Sequence, residues 1–438
     1  MPSAPTKSPP CPAAHGSRSA VMTDVLFTIL TDAATRSAHM VHGVLPARVV
    51  IPTSQAAVGA VMQQAAQQGW TVVPWGGGTH QHIGAPPTQV DLVVSTAALT
   101  GVLQHEPNDL TISVEAGMTA GALRAYLATH GQMIPIDPAL PDQTTIGGML
   151  ATACDGPRRA QYGLLRDMII GIHVIEVNGQ PSRAGGMVVK NVSGFDMMKL
   201  YHGSYGTLAL ITAANFKLIP IPPARGSVLI GCADTSAALR IVDTLSQSQL
   251  TPVACELLDA TIARTVGIDA PWVVAIGCEG PEPAVERHLR DAVALAPSTD
   301  ARSMVRRLEA HDALWRTIAD ASAATPLADG ELLLRWATIP AFVGAVLTRI
   351  AATGLQVGGA PVVHVRASVG CGYVRLTGLS TAQQDAWIAA LPEVIAVATT
   401  DNALAHYWHA PAGGADVMHR IKAEFDPQER LNPGRFVV

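Results

Sequence analysis

The cysteine patterns that hold metals and iron–sulfur clusters are missing from this 438-residue chain. No CxxC or CxxxC spacing occurs, and no cysteine belongs to a cysteine–histidine cluster. Zinc and iron–sulfur sites are built from such clusters, so we expect the chain to hold neither, and no metal site is predicted. Scattered thiols in a reducing cytosol explain the six cysteines, which are Cys11, Cys154, Cys232, Cys255, Cys278 and Cys371.

Charge is also scarce, at 14% of residues with a net charge of -5 and no long basic run, which argues against a nucleic-acid partner. No apolar run has the length of a membrane span, and no secretory signal is evident. We therefore expect a cytoplasmic protein that reaches the inner membrane only through partners. The first 21 residues are rich in Pro, Ser and Ala and lack acids. They predict a disordered extension, or translation that starts at Met22.

Two common nucleotide-binding motifs are absent, namely the GK[ST] of P-loops and a GxGxxG that opens a helix. A different glycine loop follows the apolar run at 70–73, in the sequence PWGGGTH. Gly76, Gly77 and Gly78 can take positive φ and expose successive backbone N–H groups, and Thr79 adds a hydroxyl donor. Such a loop is suited to a pyrophosphate, although a glycine cluster after a strand is also a common tight turn.

Two further glycine segments favour the binding interpretation. Residues 144–163 read TTIGGMLATACDGPRRAQYG, in which Thr144 or Thr145 can cap a helix and the two glycines allow close approach of a ligand. Residues 202–212 read HGSYGTLALIT and again place glycines before an apolar run. Three such segments in one stretch indicate a long ligand that is wrapped by backbone.

The pattern of apolar residues predicts short strands with helices interposed, which is typical of an α+β domain rather than a doubly wound sheet. Helices are predicted over 25–36 and over 53–70, the latter capped by Ser54 or Thr53. PIPPARG at 220–226 is the clearest linker. Beyond it, strands and helices alternate, and we expect a sheet with helices on one face that covers one end of the ligand.

These motifs resemble the vanillyl-alcohol-oxidase type of FAD-binding family, and within it the FAD-binding E subunits of bacterial glycolate oxidases. The closest matches are GPRR at 156–159, VVKNVSGFDMMKL at 188–200 and the terminal FDPQERLNPGRF. The resemblance implies a PCMH-type FAD-binding domain of two α/β subdomains over 22–221 and an α+β cap domain of the FAD-linked oxidase C-terminal type over 222–415. Residues 416–438 would then return to the FAD domain.

The resemblance also implies which residues bind FAD. A histidine joined covalently to flavin in some relatives directly follows the glycine pair, whereas Thr79 stands there in this chain. We therefore expect noncovalent FAD, with His80 either touching the pyrophosphate or merely lining the loop. The predicted contacts are Trp75, Gly76, Gly77, Gly78, Thr79, His80, Pro138, Thr145, Gly147, Gly148, Gly156, Gly206, Thr207 and Ile211.

Oxidation of a 2-hydroxy acid requires a base, a cation for the carboxylate and a flavin that accepts the hydride. By resemblance, Arg158 and Arg159 lie near the reactive face of the flavin, although they could instead bind a partner or pair with surface acids. Catalytic relatives carry an HxGDGN-like motif in the cap, which is absent here. The remaining candidates are His364 with Arg366 in HVRASVGCG, Arg335 inside an apolar strand, and the HYWHAP cluster at 406–411.

Three functional hypotheses follow. The first is the FAD subunit of a glycolate oxidase or dehydrogenase complex, which passes electrons to a separate iron–sulfur subunit and works beside a second flavoprotein subunit. The second is a self-sufficient dehydrogenase of D-lactate or a related 2-hydroxy acid. The third is a flavin-binding scaffold without chemistry of its own.

Overall fold

The computed structural model describes residues 27–188, 194–295, 303–307, 309–323, 327–408 and 413–436. The extension expected over residues 1–21, together with Lys190, Asn191 and His409 of two conspicuous motifs, lies outside these ranges.

The first subdomain is a four-stranded sheet with order β1-β2-β4-β3, in which β2 and β3 run parallel to β4. Its helix α2 is capped by Ser54 and buries Val58, Val61, Met62 and Ala65, as predicted. The helix expected over 25–36 is wrong in its first half. Asp32 caps a helix that starts only at Ala33, and the β-branched residue Ile29 lies in strand β1. The elements are β1 Ile29–Leu30, α1 Ala33–Ala38, β2 Arg48–Val50, α2 Gln55–Gln68, β3 Val72–Trp75 and β4 Leu92–Ser95.

The second subdomain is a five-stranded antiparallel sheet with order β5-β6-β10-β8-β9, and the short strand β7 pairs with β11. Its helices pack on one apolar cluster that includes Leu123, Met149 and Phe216. The elements are β5 Val102–Glu106, β6 Thr111–Glu115, α3 Ala120–Ala128, β7 Gln132–Met133, α4 Ile146–Thr152, α5 Arg159–Tyr162, β8 Ile169–Ile175, β9 Pro181–Gly185, α6 Met197–Tyr201, β10 Leu210–Lys217 and β11 Ile219–Pro220.

The cap is built on an eight-stranded antiparallel sheet with order β15-β12-β14-β13-β17-β18-β16-β19. Only residues 221–223 connect it to β11, because Arg225 and Gly226 of the expected linker already belong to β12. The elements are β12 Ala224–Cys232, α7 Thr235–Gln247, β13 Ala254–Asp259, α8 Ala260–Thr265, β14 Trp272–Gly280, α9 Glu282–Val293, β15 Ser303–Arg307, α10 Glu309–Asp320, β16 Leu332–Ala337, α11 Val343–Val357, β17 Val362–Arg366, β18 Cys371–Leu376, α12 Thr381–Ala390 and β19 Val394–Thr399. The last helix, α13 Ala415–Phe425, follows the cap and packs Ile421 and Phe425 against the apolar cluster of the second subdomain.

Helices cover both faces of the cap sheet, and the expectation of helices on one face is wrong. Val228 and Ile230 of β12 pack with α7, α9, α11 and α12, whereas Leu229 between them packs with α8 and α10. Successive residues of a strand point to opposite faces, so a strand that is apolar without alternation is buried on both sides. The run WVVAIGC in β14 has this character.

One helical segment within the described residues, Pro340–Val357, is long and apolar enough to span a membrane by length and composition alone. Its mean hydropathy is 1.3, and 28% of the segment is buried. Val343, Val346 and Ile350 of this segment pack into the cap core. A helix that packs on a domain core passes the same test, so this segment is weak evidence for a span.

Residues 430–435 lie against the first subdomain. Val72 of β3 donates its N–H to the carbonyl of Arg430 at 2.8 Å and accepts from the N–H of Asn432 at 2.9 Å. The Arg435 guanidinium donates to the carbonyls of Gln81 at 2.7 Å and Ala85 at 2.9 Å. The segment thus extends the sheet beside β3 and holds the chain that follows the glycine loop.

Candidate functional site: a nucleotide groove and an interdomain cavity

The glycine loop after β3 is pressed against residues 143–145. A Cβ on Gly77 would lie 1.7 Å from the Gln143 carbonyl oxygen, and one on Gly76 would lie 2.2 Å from Oγ1 of Thr145. Gly78 alone of the three has positive φ, at +74°, which corrects the expectation for its two neighbours. Close approach of two backbones is therefore the reason that glycine is needed at positions 76 and 77.

The second glycine segment opens α4. Thr145 caps the helix by accepting the Gly148 N–H at 3.2 Å, as the sequence predicts. The Gly147 N–H donates to the carbonyl of Ala116 at 2.8 Å, and a Cβ on Gly147 would lie 2.9 Å from the Ala116 side chain. The start of α4 is thereby fixed beside the glycine loop.

All three glycine segments meet in one groove of about 350 Å³. Six of the predicted FAD contacts line it, and they come from the ends of β3, α4 and the turn before β10. They are Trp75, Gly76, Gly147, Gly148, Gly206 and Ile211. Glycines without Cβ atoms line this groove and allow close approach of the pyrophosphate and adenosine of FAD, so the shape formed by the residues present fits this cofactor.

The other predicted FAD contacts have different positions. Thr79 and His80 line a cavity between the two domains, and Thr145 is occupied as the α4 cap. Gly156 and Pro138 flank Asp137, where a Cβ on Gly156 would lie 2.1 Å from the Asp137 carbonyl oxygen. Thr207 is buried, and its hydroxyl donates to the Ser204 carbonyl at 2.7 Å. Thr207 thus braces the turn next to the groove.

The interdomain cavity has about 590 Å³ of empty space, which includes its opening to solvent. One wall comes from the FAD domain and the other from strands β16, β18 and β19 of the cap. Its polar lining residues are Thr79, His80, Thr152, Cys154, Asp155, Tyr205, Ser322, Arg335 and Tyr373. Small and aliphatic residues complete the wall, among them Ala139, Ala323, Ala396 and Ala398.

Three guanidinium groups converge on Asp155 at this cavity. The distances to its carboxylate are 2.6 Å from Arg159, 3.0 Å from Arg366 and 3.3 Å from Arg335. Burial opposes ionisation of Asp155, but the three charges outweigh it and hold the pKa of this carboxyl well below its usual value. Glu256 lies 3.9 Å from Arg366. Two carboxylates against three guanidinium groups leave positive charge beside the cavity.

Arg335 is the member of this cluster whose guanidinium lines the cavity, and its side chain is 19% exposed. Its Nε atom is buried and lacks a hydrogen-bond partner. Burial disfavours its charge, yet Asp155 raises its pKa above the ordinary arginine value. Arg335 is therefore a fixed, partly exposed cation at the cavity wall.

His80 lines the same cavity from the FAD domain and stays neutral near pH 7. Burial first, and then the charge of Arg335, lower its pKa to about 4. Its Nδ1 lies 2.9 Å from Oγ1 of Thr79, which orients the ring. Burial raises the pKa values of Tyr205 and Cys154 to about 12, so both keep their protons. His80 is the lining side chain with a neutral nitrogen that can accept a proton.

Arg335 lines the cavity, whereas the other three predicted catalytic residues, Arg158, Arg159 and His364, do not. Arg158 pairs with Glu279 of the cap at 2.6 Å, while its neighbour Arg159 turns toward Asp155. The Nε2 atom of His364 lies 2.7 Å from Glu256, and both side chains are 1% exposed. The structure therefore uses Arg158 to join the two domains and places His364 behind Tyr373, whose ring stacks on it.

Within its described part, residues 406–408, the HYWHAP cluster lies in a loop. Trp408 donates to the Arg435 carbonyl at 3.1 Å. Among the residues that the structure describes, no group of three His, Cys, Asp or Glu side chains is placed to hold a metal ion.

The sequence matches the FAD binding domain over residues 46–185 and the C-terminal domain of FAD linked oxidases over residues 221–406 and 403–436. Together these matches cover most of the chain, which belongs to the FAD-linked oxidases. It is a flavoprotein oxidoreductase with FAD as its cofactor, and the resemblance to glycolate oxidase subunits is confirmed.

Curated relatives share modest identity with this chain. It is 29% identical to glycolate oxidase subunit GlcD of Bacillus subtilis (strain 168), over 68% of this chain and 65% of the relative. It is 37% identical to glycolate oxidase subunit GlcE of Escherichia coli (strain K12), over 29% and 37%. It is 31% identical to D-lactate dehydrogenase of Archaeoglobus fulgidus, over 48% and 47%. The chain thus spans less than two thirds of the length of these relatives.

Solved structures share the fold at lower identity. The 4-ethylphenol oxidase from Gulosibacter chungangensis superposes with a TM-score of 0.71 at 16% identity, covering 93% of each chain. p-Cresol methylhydroxylase superposes with a TM-score of 0.70 at 13% identity, again covering 93% of each chain. These likenesses confirm the PCMH-type fold with its cap.

Proposed function

We propose that this chain oxidises a small 2-hydroxy acid, glycolate or a close homologue, to the 2-oxo acid. The observation that carries the proposal is the excess of positive charge at the cavity wall, where the partly exposed Arg335 is the lining cation. A carboxylate substrate would pair with this guanidinium. The printed names of the relatives, which include glycolate oxidase subunits and D-lactate dehydrogenase, support the same substrate class.

The cavity lining provides the other requirements of the reaction. His80 is a neutral imidazole and takes the proton of the substrate hydroxyl. The groove formed by Trp75, Gly76, Gly147, Gly148, Gly206 and Ile211 would hold FAD, and bound FAD would supply the acceptor for the two electrons that leave the substrate carbon. Tyr205 keeps its hydroxyl proton and would donate a hydrogen bond to an oxygen atom of the substrate, whereas the Tyr373 hydroxyl donates to Asp155 at 3.4 Å.

The cavity wall favours a monocarboxylate over a dicarboxylate. Arg335 is the cation among its lining residues, and it is surrounded by alanines, with Ala396 as its register partner on β19 and with Ala323 and Ala398 also in the wall. A second carboxylate would have to lose water against these apolar groups without a partner, which is costly. Glycolate and D-lactate therefore fit this site better than D-2-hydroxyglutarate.

We further propose that FAD is bound noncovalently and that the chain works as a subunit of a glycolate oxidase or dehydrogenase complex. Two relatives carry the word subunit in their names. The chain lacks clustered cysteines, so a partner iron–sulfur subunit would receive the electrons beside a second flavoprotein subunit. The proposed location is the cytoplasm, with attachment to the inner membrane through these partners.

A self-sufficient D-lactate dehydrogenase is the second candidate, because the cavity contains both a cation and a proton acceptor within one chain. A scaffold without chemistry is the third. Anaerobic addition of glycolate, D-lactate or D-2-hydroxyglutarate to the purified FAD-loaded chain, followed by its flavin absorbance, separates the candidates. Fast bleaching and dye-linked turnover by the chain alone would support the second. Turnover that appears only after co-purification with partners supports the subunit role. Flavin that does not bleach even in the assembled complex would support the third candidate, a scaffold without chemistry.

Noncovalent binding has its own test. Acid precipitation of the FAD-loaded chain should release yellow flavin to the supernatant. Colour that stays in the pellet would contradict it.

A further inference from the structure

An apolar pocket lies on the far side of α4 from the nucleotide groove. It holds about 810 Å³ of empty space that is open to solvent on one side. Leu123 and Leu127 of α3 line it, together with Ile146 and Met149 of α4. The glycines of α4 face the nucleotide groove instead, so the two sites are separated by one helix. We call this site the α3 pocket.

The mouth of the α3 pocket is charged and lies at the boundary between the domains. Arg124 and Arg158 come from the FAD domain, whereas Arg225 and Asp312 come from the cap. Asp312 accepts from Arg225 at 2.7 Å, and Glu279 accepts from Arg158 at 2.6 Å. Two of the three arginines at the mouth are thus matched by carboxylates.

Arg124 differs from its neighbours. Among the described residues no carboxylate lies within 4.0 Å of its guanidinium, which donates only to the Ile136 carbonyl at a distance of 3.5 Å. Arg124 is exposed at the mouth, where it is a cation without a carboxylate partner in the described part of the chain, beside the apolar wall. An anion at this position would supply that partner.

We propose that the α3 pocket binds a free amphiphilic carboxylate, with its head on Arg124 and its hydrocarbon chain between α3 and α4. Ligand sites are characteristically concave and apolar with a few converging polar groups, which describes this pocket. The planar guanidinium matches a carboxylate in two parallel hydrogen bonds. The α3 pocket is distinct from the interdomain cavity, because none of its lining residues lines that cavity. An occupant would contact both domains.

Calorimetric titration of the purified, FAD-loaded chain with decanoate, below its micelle concentration, tests the proposal. We expect saturable binding at one site, and shortening the chain by two methylene groups should weaken it roughly 10-fold. Decanol and decyltrimethylammonium should bind at least 10-fold more weakly than decanoate. No saturation with decanoate, or equal affinity for the three probes, would overturn the proposal.

Variants locate the site. Arg124→Gln should weaken decanoate binding about 10-fold while leaving decanol unchanged, because only the head group loses a charged partner. Arg290→Gln, at an exposed arginine outside the pocket, is the matched control. Ala128 is an exposed residue of α3 at the mouth, so Ala128→Trp should block entry without disturbing the core. Ala125→Trp on the same helix is the control for the effect of adding an indole ring to α3.

The remaining outcomes are also decisive. If Arg124→Gln and Ala128→Trp bind decanoate like the unaltered chain, the pocket is not the site and the proposal fails. Sedimentation of the chain with phosphatidylglycerol vesicles that Ala128→Trp abolishes would assign the pocket to a membrane lipid and contradict a free carboxylate. Binding heat is measured without turnover, so this result does not depend on the proposed oxidation.

Discussion

Arg335 of the cap donates to Asp155 of the FAD domain, with 3.3 Å between Nη2 and Oδ2. The contact crosses the interdomain cavity, and Arg159 and Arg366 bind the same carboxylate. Asp155 therefore holds the cap in place and partly neutralises the cation that we assign to the substrate. A substrate carboxylate would complete the neutralisation.

Arg335→Met should lower kcat/KM for glycolate roughly 10- to 150-fold, because one charged hydrogen bond contributes about 1.5–3 kcal/mol. FAD content should stay unchanged, since the nucleotide groove does not include this residue. The measurement is dye-linked oxidation by the assembled complex. Arg264→Met, which removes an exposed arginine of α8, is the control, and equal activity of both variants would show that Arg335 does not bind substrate.

Asp155→Asn should destabilise the chain by about 3–5 kcal/mol, because removal of one partner leaves buried charges uncompensated. The free energy of unfolding in urea measures the loss. Added glycolate should stabilise this variant more than the unaltered chain, since an exogenous carboxylate restores part of the missing charge. An equal shift in both proteins would argue that the cluster is closed to substrate.

Gly148→Asp should give a folded chain without FAD. A Cβ at this position meets only Oγ1 of its own cap Thr145, at 3.1 Å, and an acid is well tolerated in the first turn of a helix. The new carboxylate would face the groove and repel the pyrophosphate. Gly148→Ala is the matched control and should retain FAD, as measured by the flavin-to-protein absorbance ratio. Retention of FAD by both variants would show that the pyrophosphate does not bind in this groove.

Arg158→Ala and Arg159→Ala should have different effects, although the residues are adjacent. Arg158→Ala leaves Glu279 buried beside His311, so it should loosen the cap and increase proteolysis at residues 221–223. Arg159→Ala removes a charge beside Asp155, so it should change KM for glycolate with little effect on proteolysis. Loss of turnover without faster proteolysis in Arg158→Ala would instead restore the role near the flavin that the sequence suggested.

Lowering the pH should destabilise the chain at pH values well above the pKa of its carboxyl groups. Burial first, and then Arg435, lower the pKa of His42 from 6.5 to about 4. Between these values the unfolded chain binds more protons, so the stability that neutral His42 contributes is complete above pH 6.5 and is lost as pH falls toward 4. Tm measured from pH 7 to pH 5 should fall less in His42→Gln than in the unaltered chain. An equal fall of Tm with pH in both proteins would contradict the lowered pKa of His42.

Local features of this fold are readable from the sequence, because each depends on neighbouring residues. The buried stripe of α2 follows from spacing alone. The sequence offered Thr53 or Ser54 as the cap of α2 and Thr144 or Thr145 as the cap of α4, and the structure uses Ser54 and Thr145. The glycine loop was also recognisable, although contact with Gln143 rather than positive φ explains two of its glycines.

The charge cluster could not be predicted in the same way. Arg335 and Arg366 lie 180 and 211 positions from Asp155, and only the docking of the cap brings them together. An acid that follows a glycine segment, as in CDGPRR, was the one available signal. Neither the isolated position of Arg335 in an apolar strand nor the proximity of GPRR to the flavin in relatives reveals which arginine faces the cavity.

The pairing of β3 with residues 430–432 sets the order of events during synthesis. Val72 leaves the ribosome early, yet its two backbone partners, Arg430 and Asn432, are translated more than 350 residues later. The loop that follows β3 also waits for Arg435 to bind the Gln81 carbonyl. Cofactor loading therefore belongs after translation, and a ribosome-stalled chain that ends before residue 430 should not retain FAD.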